Sequence, residues 1–386
     1  MLYKYFAVLA IVFLLIPTLN AQEVDKSGGY ARVRALGENP YVVDPEFMKT
    51  NPAWGQFYDN FLWADIGEED YEGDYSSGAG QFFGLNFRLD NQWTLGAIMS
   101  RDDYNSVSIG MLDPFGITSS HNPALNNNFE LFSSLKLGNT SLGLGLAYAS
   151  ASTENNPAGG ESVTTGASQL GVNLGIISSF DRNMMLDLGV NLAMPNYTND
   201  DGEVDISQTI IAANARFFWK LGSKVRLVPA ASFMTASGTA DNSEGSADLP
   251  SYSSFGFGVG MEYTVGEFMF IGGPALRSTS VTDADPEVSS FTFPIWNLGA
   301  EWTATEWLIA RMGYVAETGS STTTEEDDDE FITTFYRPGE VSLGIGLRFG
   351  GFGLDATVNS SVLRGGLQNI GGPEPTFAYL SASYAF

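Results

Sequence analysis

Along most of this chain, large apolar residues alternate with small or polar ones at a strict period of two. In Leu142-Gly143-Leu144-Gly145-Leu146-Ala147-Tyr148 the even positions are large and the odd ones small. The same pattern runs through 83–89, 170–176, 186–192, 255–261 and 341–349. Period two sends successive side chains to opposite faces, so these segments are β-strands with one apolar face. The alternating segments are about 9–13 residues long, the length of a tilted strand that crosses a bilayer, whereas soluble strands are commonly about 5–6.

The connections alternate as well. One set is very short: Asp90-Asn91-Gln92, Gly138-Asn139, Asp181-Arg182-Asn183, Gly222-Ser223, Gly266-Glu267, Thr305-Glu306 and Gly350-Gly351. Most of these carry the Asn, Asp and Gly of tight hairpins. The other set is long and polar: 67–80, 101–126, 152–166, 195–205, 237–250 and 319–330. Short turns on one side and long loops on the other predict an all-β, antiparallel transmembrane β-barrel. Closure follows because lipid cannot satisfy a free strand edge. Seven hairpins with short turns plus one strand at each chain end make 16 strands; one misread hairpin makes 14, so the expected range is 14–16 and the best count 16. Trp93, Trp219, Tyr263, Trp302 and Trp307 beside the short turns fit an interfacial aromatic girdle. The last strand, Phe377–Phe386, ends in a Phe that looks like the signal read by the outer-membrane barrel insertion machinery, making that machinery an expected partner.

Composition removes other classes. There is no Cys and only one His, so thiol chemistry and His-pair metal sites are excluded and no metal or cofactor is expected. His121 lies in a long loop with Asp102 and Asp103, where ordinary loop chemistry outweighs catalysis. The chain is expected not to be an enzyme. Eighteen Lys and Arg against 45 Asp and Glu give a net charge of -27, which speaks against nucleic acid. Lys4, the apolar run 6–17 and the small Ala21 read as a signal peptide over 1–21. With the barrel, this predicts a Gram-negative outer-membrane location, with lipid and lipopolysaccharide as surroundings.

Three groups of candidate residues remain. Glycines repeated inside strands (143/145, 256/258/260, 344/346) lack the strand–turn–helix context of a nucleotide loop, and read as close packing of a plug or as wall kinks. Arg88, Asp187, Arg216, Arg226, Glu262, Glu301, Arg311, Arg348 and Asp355 fall on the lumen face, where pairing between wall and plug is the first expectation and solute screening the second. The acidic run Glu325–Glu330 lacks the spacing and glycine of a calcium loop and reads as a solvated loop tip.

Residues 28–58 have no alternation. They contain Ala31-Arg32-Val33-Arg34-Ala35-Leu36-Gly37, then Asp44, then Asn51-Pro52-Ala53-Trp54, and a strand and the turn Asp90-Asn91-Gln92-Trp93 follow. This order resembles the N-terminus of the long-chain fatty-acid outer-membrane transporter family, a superfamily that also includes the type IX secretion shuttle barrel. The resemblance implies a plug over 22–57 inside a barrel over 58–386. It further implies passive uptake of hydrophobic molecules such as fatty acids or aromatics, with Asn51, Pro52, Ala53 and Trp54 beside the passage. Phe115 and Ile117 stand where the family has a mobile outer loop. A protein-docking role in secretion and a general porin are the alternatives.

Overall fold

The computed structural model describes residues 26–67, 81–101, 127–156, 162–199, 204–242, 245–284, 286–324, 330–358, 362 and 376–386. Its strands are β1 (Phe61–Gly67), β2 (Gln81–Arg88), β3 (Trp93–Arg101), β4 (Asn127–Leu137), β5 (Thr140–Asn155), β6 (Val163–Ser179), β7 (Met184–Asn199), β8 (Val204–Lys220), β9 (Val225–Asn242), β10 (Gly245–Asp248), β11 (Ser251–Val265), β12 (Phe268–Thr282), β13 (Glu287–Thr305), β14 (Leu308–Thr324), β15 (Glu330–Phe349), β16 (Phe352–Val358) and β17 (Phe377–Ala385). Apart from β10 and β11, each strand pairs antiparallel with its sequence neighbours, and β1 pairs with β17 (Phe61 opposite Ala385), which closes the sheet. Both β10 and β11 pair with β9, one above the other, so they form a single stave interrupted at Leu249-Pro250. The barrel therefore has 16 staves, the number expected from the turns.

The turns work as their residues require. Gly138, Gly266 and Gly350 take left-handed φ values of 61°, 59° and 59°, the conformation a two-residue hairpin needs. Where the turn is longer, a side chain ties it: Asp90 Oδ1 accepts from the Gln92 and Trp93 amides at 2.7 and 2.8 Å. Asp181 Oδ1 accepts from the Asn183 amide at 2.6 Å.

Alternation sorts the two faces. Leu144 on β5 is 46% exposed while Ala147 is 3% exposed. Outward-facing Leu131, Leu146, Leu174, Phe233, Phe255 and Phe270 are all exposed. A ring of large apolar side chains open to the surroundings, far more than a soluble surface carries, is a lipid-facing band. Near the short turns Trp302 stacks on Phe268 (centroids 5.7 Å apart) and Trp307 on Phe349 (6.5 Å), as a girdle would.

The expected long loops are corrected in extent. β5 and β6 stay paired up to Asn155 opposite Val163, β13 and β14 up to Glu287 opposite Thr324, and β14 and β15 up to Thr324 opposite Glu330. Much of 152–166 and 319–330 is thus strand, and β15 reaches 20 residues. Above the lipid both faces meet water, so the hydrophobic alternation stops while the backbone ladder continues. Thr- and Ser-rich stretches such as 320–324 suit that ladder. The acidic positions 325–329, His121, Phe115 and Ile117 lie outside the described residues.

Candidate functional site: a plug and the cavity beside it

Residues 27–60 fold inside the barrel. They form a short helix α1 (Tyr30–Ala35) and two 3₁₀ turns, Pro45–Lys49 and Pro52–Gln56. Each 3₁₀ turn starts with a proline preceded by a capping side chain. Asp44 accepts from the Glu46 amide at 3.0 Å, and Asn51 from the Ala53 amide at 2.9 Å. A proline at the first helical position loses no hydrogen bond, and the preceding Asp or Asn takes up a free donor. The segment thus holds a compact bent shape without alternation. Leu36, Tyr41, Met48, Ala53, Trp54 and Tyr58 are completely buried and form the core with wall residues such as Phe132 and Phe218.

Two clamps seat this plug. The first lies on β13–β17. Arg32 pairs with Glu301 (3.2 Å) and Asp44 (3.0 Å); Arg311 joins Glu301 and Asp355 (both 2.6 Å), and Arg348 adds to Asp355 (3.0 Å). Ser381 Oγ accepts from the Ala31 amide at 2.8 Å, and Thr357 donates to the Ala31 carbonyl at 2.7 Å. Burial pushes the Asp44 carboxyl up to about 7, against the Arg32 guanidinium and the Glu46 amide that favour its charge. The second clamp is centred on Asp187 of β7. Asp187 accepts from Asn51 Nδ2 (2.5 Å), Trp54 Nε1 (3.2 Å) and Arg216 (2.6 Å). Arg216 also donates to the Val42 carbonyl at 2.9 Å and lies 3.8 Å over the Phe47 ring. Asn191 donates to the Thr50 carbonyl at 3.1 Å, and Asn86 to the carbonyls of Gly55 (2.7 Å) and Tyr58 (2.8 Å).

The lumen glycines are where the plug backbone touches the wall. A Cβ on Gly143 would collide with the Pro52–Ala53 peptide, and one on Gly313 with Leu36–Gly37. A Cβ on Gly260 would meet the Tyr41 ring. This is the packing role expected for the strand glycines at 143, 145, 258, 260 and 344; Gly256 and Gly346 instead face wall side chains. Gly143→Val should wedge the plug off its seat, costing about 1–3 kcal/mol as overpacking does. The check is protease cleavage within residues 40–58, which should appear in the variant while the barrel stays folded.

Between plug and wall lies a cavity of about 420 Å³. Tyr41, Phe47, Thr50 and Asn51 line it from the plug; Arg216, Ala231, Leu276 and Ile295 are among the residues lining it from β8–β13. At its edge the wall pairing is broken. β11 and β12 pair at Gly258/Ala275 and again at Met261/Gly272, but not between. Pro274, inside this gap, has no amide to donate. The plug donates into and beside this stretch: Tyr41 to the Pro274 carbonyl at 3.2 Å, and Asn39 to the carbonyl of the neighbouring, paired Ile271 at 3.1 Å. Burial pushes the Tyr41 hydroxyl up to about 12, so it stays a donor. Register shifts follow on the next strands, at Ala275/Arg277, Thr292/Ile295 and Val315/Glu317. Bulges of this kind bend strands and end local pairing.

The structure brings Asn51, Pro52, Ala53 and Trp54 together on β5–β7, with Asn51 on the cavity itself. Of the expected lumen charges, Asp187, Arg216, Glu301, Arg311, Arg348 and Asp355 belong to the two clamps. Arg226 pairs with Glu262 across β9 and β11, and Arg88 pairs with Asp59 at the short-turn mouth. Sequence reasoning passed over Tyr41 and Asn39. The signal available was an aromatic and an amide in a segment that must be covered, flanking prolines at 40 and 45.

No family model and no curated protein matches this chain. Among solved structures, it is similar to BauA, the ferric preacinetobactin receptor of Acinetobacter baumannii, at 11% identity and a TM-score of 0.48, over 77% of this chain and 53% of that one. The chain thus spans about half the length of that receptor. It is also similar to a Pseudomonas aeruginosa FadL homologue (14% identity, TM-score 0.43, 96% of this chain and 100% of that one) and to the Pseudomonas putida toluene transporter TodX (11%, 0.43, 95% and 100%). The barrel itself rests on the strand pairing described above.

Proposed function

We propose that this chain is an outer-membrane channel for passive uptake of hydrophobic small molecules, through a barrel whose lumen is filled by the N-terminal plug. The observation that carries this reading is the cavity of about 420 Å³ between plug and wall, ending at the unpaired stretch of β11 and β12. That volume falls within the roughly 300–1,000 Å³ of small-molecule sites. Its lining joins apolar groups (Phe47, Ala231, Leu276, Ile295) to polar and charged ones (Tyr41, Asn51, Asp187, Arg216, Arg277, Glu317), which suits a molecule with an apolar body and a polar end. Asn51-Pro52-Ala53 shape the plug where it meets the cavity, and Phe115 and Ile117 belong to the proposed entry loop.

Replacing Asn51-Pro52-Ala53 by Gly-Ser-Gly removes the cap, the fixed proline dihedral and the bonds to β7. The variant should change uptake of a fatty acid or aromatic compound severalfold while barrel assembly and sugar entry stay as in wild type. Growth on the hydrophobic compound as limiting carbon source, in wild-type, variant and deletion strains, reads this out. Equal growth in all three overturns the reading. Loss of surface-protein secretion in the deletion strain would then favour a docking role.

A further inference from the structure

The chain carries few cations, yet four of its 18 Lys and Arg line one cavity. This cavity, about 400 Å³, lies at the short-turn mouth between the turns 181–183 and 222–223, lined by Arg182, Lys220, Lys224, Arg226, Glu262 and Thr264. Lys220 stands directly opposite Arg226, and Arg226 opposite Glu262. All three fall on the inner face of the wall. The Arg226 guanidinium sits 5.3 Å from the Phe218 ring, which meets Trp54 of the plug edge-on at 6.4 Å. The cavity is therefore at the foot of the plug and separate from the one beside Tyr41 and Phe47.

Its charges are not balanced as they are elsewhere in the lumen. Arg216, Arg311 and Arg348 each face a buried carboxylate. Here the lining offers only Glu262, already engaged by Arg226. Nearby Asp181 is held by the Asn183 amide. Among the described residues, Arg182, Lys220 and Lys224 have no ion-pair partner. Arg226 is buried, 8% exposed, and its Nε has no hydrogen-bond partner. Three cations around one cavity without a counter-charge favour an anion there, and Arg and Lys together match the oxygens of phosphate and carboxylate.

We propose that this cavity binds an oxyanion, a phosphate or carboxylate group, held by the ammonium groups of Lys220 and Lys224 and the guanidinium of Arg182, with the buried Arg226 charge behind them. Two sources share this chemistry: a small anion in the aqueous space at this mouth, and the headgroup of a lipid. The site does not depend on the hydrophobic route, because none of these side chains lines the other cavity.

The test uses the full-length protein in an uncharged detergent. Inorganic phosphate is titrated by calorimetry, with chloride at equal ionic strength as the blank. Saturable phosphate binding is expected. The double variant Lys220→Gln/Lys224→Gln should weaken it at least tenfold, and Lys220→Arg/Lys224→Arg should restore it. Both lysines are at least partly exposed, and unchanged heat-modifiability on gels shows that the variants fold. A second titration adds short-chain phosphatidylglycerol. Displacement of phosphate by the lipid supports the site with a headgroup as source; no displacement supports it with a soluble anion as source. Absence of phosphate binding, or equal affinity in wild type and the Gln variant, overturns the proposal.

Discussion

Deleting residues 28–58 should raise single-channel conductance in planar bilayers at least about tenfold, since a 16-stranded barrel without a filling leaves an aqueous channel. The wall supports itself: closure comes from β1 against β17, and the lipid-facing band belongs to the strands alone. What the deletion removes is the core of Leu36, Tyr41, Met48, Trp54 and Tyr58 that fills the lumen. It also takes Arg32 from Glu301 and the plug hydrogen bonds from Asp187 and Arg216, which keep each other and then face water. That is tolerable in a wet lumen, so heat-modifiable migration on gels should persist. Folded barrels with wild-type conductance would mean that the segment does not block the pore.

The second large effect is expected at Asp187. One carboxylate accepts from Asn51, Trp54 and Arg216. Asp187→Ala leaves the buried Arg216 guanidinium without its counter-charge, a change that costs about 3–5 kcal/mol when one partner of a buried pair is removed. The loss should fall on plug seating more than on the barrel, because two of the three donors are plug side chains and the third, Arg216, touches the plug. Protease sensitivity of residues 40–58 and conductance should both rise. The double variant Asp187→Leu/Arg216→Met removes both charges, and should recover much of the loss, as replacement of a whole buried pair by apolar groups often does. A double variant as damaged as Asp187→Ala would show that hydrogen bonds to Asn51 and Trp54, not the stranded charge, dominate.

The barrel was legible because lipid imposes a two-residue period on the wall and the hairpins spell themselves in Gly, Asn and Asp. Leu142–Tyr148 and the seven short turns were enough to count the staves. The tops of the strands were not legible. In stretches such as Ser320–Thr324 water lies on both sides, so no apolar face marks the ladder that runs to Thr324 opposite Glu330. The plug was legible by its lack of period and its many apolar residues. Asn51-Pro52-Ala53 stood out through the family resemblance and lies on the wall glycines of β5–β7. The cavity was hidden, because it depends on which wall residues the plug meets. Tyr41 and Leu276 are far apart in sequence and come together only through the barrel. The broken pairing of β11 and β12 had one local sign, Pro274, indistinguishable in sequence from a proline at a strand edge.

In the proposed function, a hydrophobic molecule enters the space between plug and wall. The most direct measurement uses a fatty acid bearing a photoreactive diazirine, cross-linked to the wild-type protein in lipid nanodiscs and mapped by mass spectrometry. Labelling concentrated on Tyr41, Phe47, Ala231 and Leu276, and competed away by unlabelled fatty acid, is the predicted result. Labelling confined to lipid-facing positions such as Leu131, Leu144 and Leu146, and insensitive to competitor, would contradict it.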